Sequence, residues 1–211
     1  MSVLAEIKDG LVCGDDERVS ELTQQAIEQG LSPQEILSES LIGGMTIVGE
    51  RFKEHEIFLP DVLLAAKAMH AGMEVLRPLL IDAGIPSIGK VVLGSVQGDL
   101  HDIGKNLVGI LLKGAGFEVI DLGNDVAPQS FVDAAKERGA SVIGMSALLT
   151  TTMPTMAKVV DLVKERKLDS RIKTIVGGAP VSEMFAREIG ADAYGFDAAN
   201  AVDRVKSLTT A

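Results

Sequence analysis

Near residue 88 the chain changes its grammar. Beyond that point five short apolar runs, at 90–96, 118–121, 141–146, 173–176 and 193–195, alternate with five longer stretches. Those stretches, at 104–115, 128–138, 152–166, 181–189 and 198–207, carry apolar residues at helical spacing. Strand and helix alternating at this length give a parallel sheet covered on both faces. Right-handed crossovers make such a sheet doubly wound, and a flavodoxin-like (Rossmann-type) order 2-1-3-4-5 is expected. In that order the first and third strands are neighbours across the switch point. The loops that carry His101 and Ser146 then lie side by side, and Gly177-Gly178 ends the next strand.

The first 82 residues hold no convincing strand. Helical spacing covers 3–12, 16–29, 33–52 and 59–81. Asp15 or Asp16 is placed to cap the second helix, with Gly30 closing it. Ser32 is placed to cap the third, with Pro33 at its first position, where a missing N–H costs nothing. Pro78 is expected to kink the fourth or end it early. A Gly/Pro/Ser linker spans 82–89. The expected organisation is an all-α four-helix bundle with its linker at 1–88, followed by an α/β domain at 89–211.

Composition narrows the function classes. The chain has 211 residues and a net charge of −10, which argues against a nucleic-acid or anionic-membrane partner. Aromatics are 3% and Trp is absent, so the core is aliphatic and flavin stacking is disfavoured. A single cysteine, Cys13, excludes an internal disulfide and a cysteine-based zinc cluster. No signal peptide opens the chain and no apolar run has the length of a membrane span, so a cytoplasmic place of work is expected.

The stretch Gly98-Asp99-Leu100-His101-Asp102-Ile103-Gly104 falls between the first strand and its helix. In an open α/β sheet that edge is where ligands bind. An aspartate two residues before a histidine is able to accept one imidazole N–H, fix the tautomer and leave the other nitrogen for a metal. Asp102 is placed to cap the following helix. Lys105-Asn106 lacks the spacing of a phosphate loop, and Ser146-Ala147-Leu148 is not a nucleophile elbow. His55 and His70 read as structural or exposed, and Met45, Met69 and Met73 as packing residues.

Three elements stand in order: Asp99-x-His101-x-x-Gly104, Ser146-x-Leu148 and Gly177-Gly178. With them the chain resembles the corrinoid (cobalamin-binding) proteins of methyltransferase systems, among them the cobalamin module of methionine synthase and the corrinoid subunits that serve methanol, methylamines and methoxyl compounds. The first half is similar to the helical cap of that family through Gly44-Met45, Val48-Gly49-Glu50-Arg51-Phe52 and Phe58-Leu59-Pro60.

The resemblance implies a base-off, His-on cobalamin, with His101 as the lower axial ligand of cobalt. Asp99 would hold the distal imidazole nitrogen and Ser146 would hydrogen-bond into that pair. Gly98, Asp102, Ile103, Gly104, Leu148, Thr150, Gly177, Gly178 and Ala198 would line the cofactor's lower face and nucleotide tail. Glu50, Phe58 and Leu63 of the cap would cover its upper face and exclude water. The implied role is a methyl carrier that is a subunit rather than a complete enzyme, since no general base or substrate pocket of its own is visible. Its implied partners are a donor-specific methyltransferase, a second methyltransferase acting on an acceptor such as tetrahydrofolate or a thiol, and a reductive activase. A cobalamin-dependent sensor, an adenosylcobalamin mutase subunit and a flavodoxin-like flavin or receiver protein are the alternatives.

Overall fold

The computed structural model describes residues 2–83 and 87–209. Residues 84–86, within the linker expected at 82–89, lie outside the described residues. The chain divides into two compact units, one helical and one built on a sheet.

In the helical unit Ser2 opens α1 (Val3–Val12), its hydroxyl accepting from the Ala5 N–H. Asp15, not Asp16, caps α2 (Asp16–Glu28) through the Arg18 N–H. Asp16 is instead paired with Lys67 on a later helix at 2.9 Å, and that hydrogen bond holds its carboxyl below the usual range. Ser32 caps α3 (Pro33–Glu35), with Pro33 at its first position. The single helix expected over 33–52 then widens. Residues Ile36–Ile42 form a π-helical segment before α4 (Gly43–Lys53) resumes the α pitch. In the segment the Gly43 N–H reaches back to the Ser38 carbonyl, five residues earlier. The buried Ser40 hydroxyl donates to the Ile36 carbonyl at 2.6 Å. The last helix, α5 (Leu59–Asp82), runs through Pro78 rather than ending there. Ile7, Leu11, Val19, Ile36, Leu41, Val48, Val62 and Leu76 form the buried aliphatic interior.

The second unit carries β1 (Lys90–Ser95), β2 (Glu118–Asp121), β3 (Val142–Ser146), β4 (Lys173–Gly177) and β5 (Ala193–Gly195). All pairings are parallel and the order is β2-β1-β3-β4-β5, as expected from the alternation. The connecting helices are α6 (Ile103–Gly114), α7 (Pro128–Arg138), α8 (Pro154–Glu165), α9 (Glu183–Ile189) and α10 (Ala198–Thr209). Val92, Val96, Phe131, Ile143, Met156, Val159 and Val176 pack into one buried cluster, in which Phe131 is the aromatic exception to the expected aliphatic core.

Two helices start two residues later than helical spacing predicts. At α9, Ser182 serves as the cap, accepting from the Phe185 N–H. At α8, Thr152 is drawn into the site described below. Among the described residues no helix is long and apolar enough to cross a membrane.

Candidate functional site

Parallel strands deliver their carboxyl ends to one edge, and here the register aligns them. Ser95 lies beside Ser146, Ser146 beside Gly177, and Gly177 beside Gly195. This row of small residues crosses the switch point where β1 and β3 are adjacent.

The loop after β1 holds the chemistry. Gly98 takes a left-handed φ of +88°, turning the chain so that Asp99 points back into the protein. The Asp99 side chain is fully buried, and both its oxygens are saturated. Oδ1 accepts from His101 Nδ1 at 2.8 Å and from the His101 N–H at 3.1 Å. Oδ2 accepts from the Leu148 N–H at 2.7 Å, the Leu149 N–H at 3.2 Å and the Thr152 hydroxyl at 2.8 Å. Burial opposes the charge. The Leu148 amide, the His101 side chain, the Thr152 hydroxyl and the His101 amide outweigh it and hold the carboxyl well below the usual range. Asp99 is therefore a fixed anion.

A fixed anion on Nδ1 fixes the imidazole. Nδ1 donates to the carboxylate, and Nε2 is the ring nitrogen left for another partner. The ring is 53% exposed, and it stands among outward-facing apolar side chains: Leu100, Ile103, Leu148 and Leu149 are exposed, Ile103 at 75%. Among the described residues no three His, Cys, Asp or Glu side chains cluster as a self-sufficient metal site. The site thus offers one imidazole beside an exposed apolar surface. At Gly104, in the first turn of α6, an added Cβ would meet nothing within 4 Å, which leaves the helix start open to a ligand. These residues fit a corrinoid.

The hydroxyl bonded to Asp99 is that of Thr152, in the position the sequence reading gave to Ser146. Ser146 is half-buried at the end of β3, and its carbonyl accepts from the Val96 N–H. The glycine pair has a reason inside the protein. A Cβ on Gly178, which has φ +123°, would lie 1.9 Å from the Ala147 carbonyl oxygen, and one on Gly177 would lie 3.0 Å from that of Gly195. Asp102 stands at the start of α6, its carbonyl accepting from the Asn106 N–H. Thr150 is exposed in the turn before α8, and Ala198 is buried as the first residue of α10. Glu50 and Phe58 belong to the helical unit. Glu50 is exposed on α4, and Phe58 is exposed just before α5, its N–H donating to Asp61 Oδ2 at 2.8 Å.

Further residues build the loop from below. The buried Ser95 hydroxyl donates to the His101 carbonyl at 2.6 Å. The ammonium of Lys105, also buried, lies 2.6 Å from both Asp121 oxygens and 2.7 Å from Asn106 Oδ1. The loop after β2 adds three further bonds. Asp125 Oδ1 accepts from the Gly98 N–H at 2.7 Å, the Asp125 N–H donates to the Asp99 carbonyl at 3.0 Å, and Asn124 Nδ2 donates to the Leu100 carbonyl at 3.2 Å.

Comparison with known proteins agrees with the chemistry of the site. Residues 89–205 match the model of a B12 binding domain, and residues 3–77 match a second B12 binding domain model. A corrinoid protein of Desulfitobacterium hafniense (strain Y51) is 44% identical, with 99% of this chain and 98% of the relative covered. Trimethylamine corrinoid protein 2 of Methanosarcina acetivorans is 42% identical, with 97% and 95% covered. Among solved structures, a chain of the methanol:cobalamin methyltransferase complex of Methanosarcina barkeri is 32% identical. It superposes with a TM-score of 0.88, over 99% of this chain and 80% of that one.

Proposed function

This chain belongs to the B12-binding corrinoid proteins of methylamine and methanol methyltransferase systems, and we propose that within that role His101 Nε2 is the lower axial ligand of the bound cobalt. The bound corrinoid supplies the chemistry, a metal that accepts a methyl group from one partner and gives it up to another. The protein supplies the axial nitrogen, its tuning and the seat. Corrinoid-protein membership replaces the regulator, mutase and flavin alternatives.

The observation that carries the proposal is the saturated Asp99 carboxylate 2.8 Å from His101 Nδ1. It keeps the proton on Nδ1 and orients the ring, which leaves Nε2 as the nitrogen that would meet a metal. Four further hydrogen bonds to Asp99 come from the His101 amide, Leu148, Leu149 and Thr152. They share out its charge and so temper its pull on the His101 ring. Exposed Leu100, Ile103, Leu148 and Leu149 would seat the apolar part of a corrinoid, and the open space at Gly104 would leave room for its nucleotide tail. Phe58 and Glu50 are exposed on the helical unit, where a cofactor could reach them.

Three partners follow from this role: a donor-specific methyltransferase, an acceptor methyltransferase acting on tetrahydrofolate or a thiol, and a reductive activase that restores the metal to its working state. The acidic composition and lone cysteine fit a cytoplasmic place of work.

The test is reconstitution with hydroxocobalamin, followed by absorption spectra of wild type and His101→Ala. Wild type is expected to retain corrinoid with a histidine-ligated spectrum, and the variant to lose that signature. Identical spectra would remove His101 from the metal. Transfer of isotopic label from trimethylamine, dimethylamine or methanol onto the reduced holoprotein, each with a matching methyltransferase, identifies the donor. No uptake from any of them would assign the chain a different methyl donor.

A further inference from the structure

Three consecutive carbonyls of the axial-ligand loop are each held by a separate donor. Asp99 C=O accepts from the Asp125 N–H at 3.0 Å, Leu100 C=O from Asn124 Nδ2 at 3.2 Å, and His101 C=O from Ser95 Oγ at 2.6 Å. Two of the three donors come from the loop after β2, more than twenty residues away in sequence. That loop also returns a bond, since Asp125 Oδ1 accepts from the Gly98 N–H at 2.7 Å. Asp125 therefore grips the loop at both a donor and an acceptor, on either side of the peptide that introduces Asp99.

Its backbone is costly. Asp125 has φ +53°, one of three non-glycine residues with positive φ among those described. Aspartate and asparagine tolerate that region better than other side chains, and the strain persists only where surrounding bonds impose it. The loop is itself anchored. Gly123 donates its N–H to Asp121 Oδ1 at 2.9 Å, and the buried Lys105 ammonium clamps Asp121. Gly123 C=O accepts from the Ser95 N–H at 3.0 Å. A continuous series of bonds thus runs from Lys105 on α6, through Asp121 and the 123–125 turn, to the peptides that carry Asp99 and His101.

We infer that Asp125, assisted by Asn124, is a positioning residue for the axial ligand, holding the Gly98–Leu100 backbone so that the His101 ring meets the cobalt in one orientation. Asp99 sets the tautomer and charge of the ring, and Asp125 sets where the ring stands. The inference rests on His101 being the cobalt ligand. It adds that an exposed carboxylate remote from the metal controls how often that ligand is engaged.

Three substitutions separate the parts. Asp125→Asn keeps an acceptor oxygen and the tolerance for positive φ. Asp125→Gly keeps the backbone freedom and removes the acceptor, and Asp125→Ala loses both. Each protein is loaded with cob(II)alamin to equal occupancy, and the fraction showing nitrogen splitting from an axial imidazole is read by electron paramagnetic resonance. The ratio of ligated to unligated cobalt is expected to match wild type in Asp125→Asn. In Asp125→Gly it is expected to fall on the order of tenfold, the effect of losing one charge-assisted hydrogen bond, and in Asp125→Ala at least as far. Hydrogen exchange at the Gly98 amide, measured without cofactor, is expected to quicken in Asp125→Gly and not in Asp125→Asn.

Wild-type ligation retained in Asp125→Gly, or Gly98 exchange unchanged in it, would overturn the positioning role. Absence of nitrogen splitting in wild type itself would instead overturn His101 as ligand, and this inference with it.

Discussion

The Thr152 hydroxyl donates to Asp99 Oδ2 at 2.8 Å across 53 residues of sequence, joining the turn before α8 to the loop that carries His101. The same hydroxyl lies 2.8 Å from the Leu149 carbonyl, so it chooses between a local turn and a long-range anion. A carboxylate that loses a donor becomes more basic and pulls harder on its remaining partners. Thr152→Val should therefore strengthen the bond to His101 Nδ1 and make Nε2 a better ligand. The expected outcome is a larger histidine-ligated fraction and a more negative cobalt midpoint potential in spectroelectrochemical titration. Thr152→Ser should restore wild-type values.

Replacing the anion itself has a different signature. Asp99→Asn leaves five donors facing a neutral amide, one edge of which is itself a donor. A loss of about 2–3 kcal/mol is expected for a buried charged acceptor, read as a lower denaturant midpoint. The loaded variant should also lose most histidine ligation, because a neutral amide holds the Nδ1 proton less firmly than a carboxylate and can instead present its own N–H to the ring.

The pH dependence has a definite sign. Hydrogen bonding depresses the Asp99 pKa in the folded protein, so the unfolded chain binds its proton first as pH falls. The stabilisation is complete above the ordinary aspartate value of about 3.9 and is lost progressively below it. Urea midpoints of wild type and Asp99→Asn should thus differ most near neutrality and converge as the pH is lowered through about 4. A gap that widened on acidification would contradict the charged reading of Asp99.

Two glycines with similar places in the family pattern should respond oppositely to alanine. At Gly178 the new Cβ would sit 1.9 Å from the Ala147 carbonyl oxygen on a φ of +123°. Gly178→Ala should cost about 3 kcal/mol or more, or prevent folding. At Gly104 there is nothing within 4 Å, and alanine suits the helix. Gly104→Ala should keep or raise the melting temperature of the cofactor-free protein while weakening corrinoid retention. Calorimetry of the cofactor-free protein and a binding titration separate the two effects.

The sheet was legible because strand and helix leave different periods in the sequence, and because β1, its loop and α6 are contiguous. Asp99 and His101 were legible for the same reason, being two residues apart on that loop. Thr152 was not. Its helical spacing is sound, and only the position of a buried anion 53 residues away diverts it from α8. Ser146 carried the expected role because it ends a strand beside β1, yet its hydroxyl is not the one that bonds Asp99. Asp125 was silent for a further reason, since a left-handed aspartate has no signature in a single sequence. The widened helix at Ile36–Ile42 was hidden likewise, because apolar spacing reads the same until the backbone bonds are seen.

That widened segment has a consequence for how this chain can change length. A π turn contains more residues than an α turn needs, so the spare residue can be lost without breaking the helix. Deleting one position there would close the coil to the α pitch, and because the wide turn absorbs the missing residue, Glu50 and its neighbours on α4 would keep the direction they face. A deletion in the regular turns of α4 has no such slack and would swing everything after it by about 100° around the axis. The widened segment thus tolerates a change of length that the turns beside it do not.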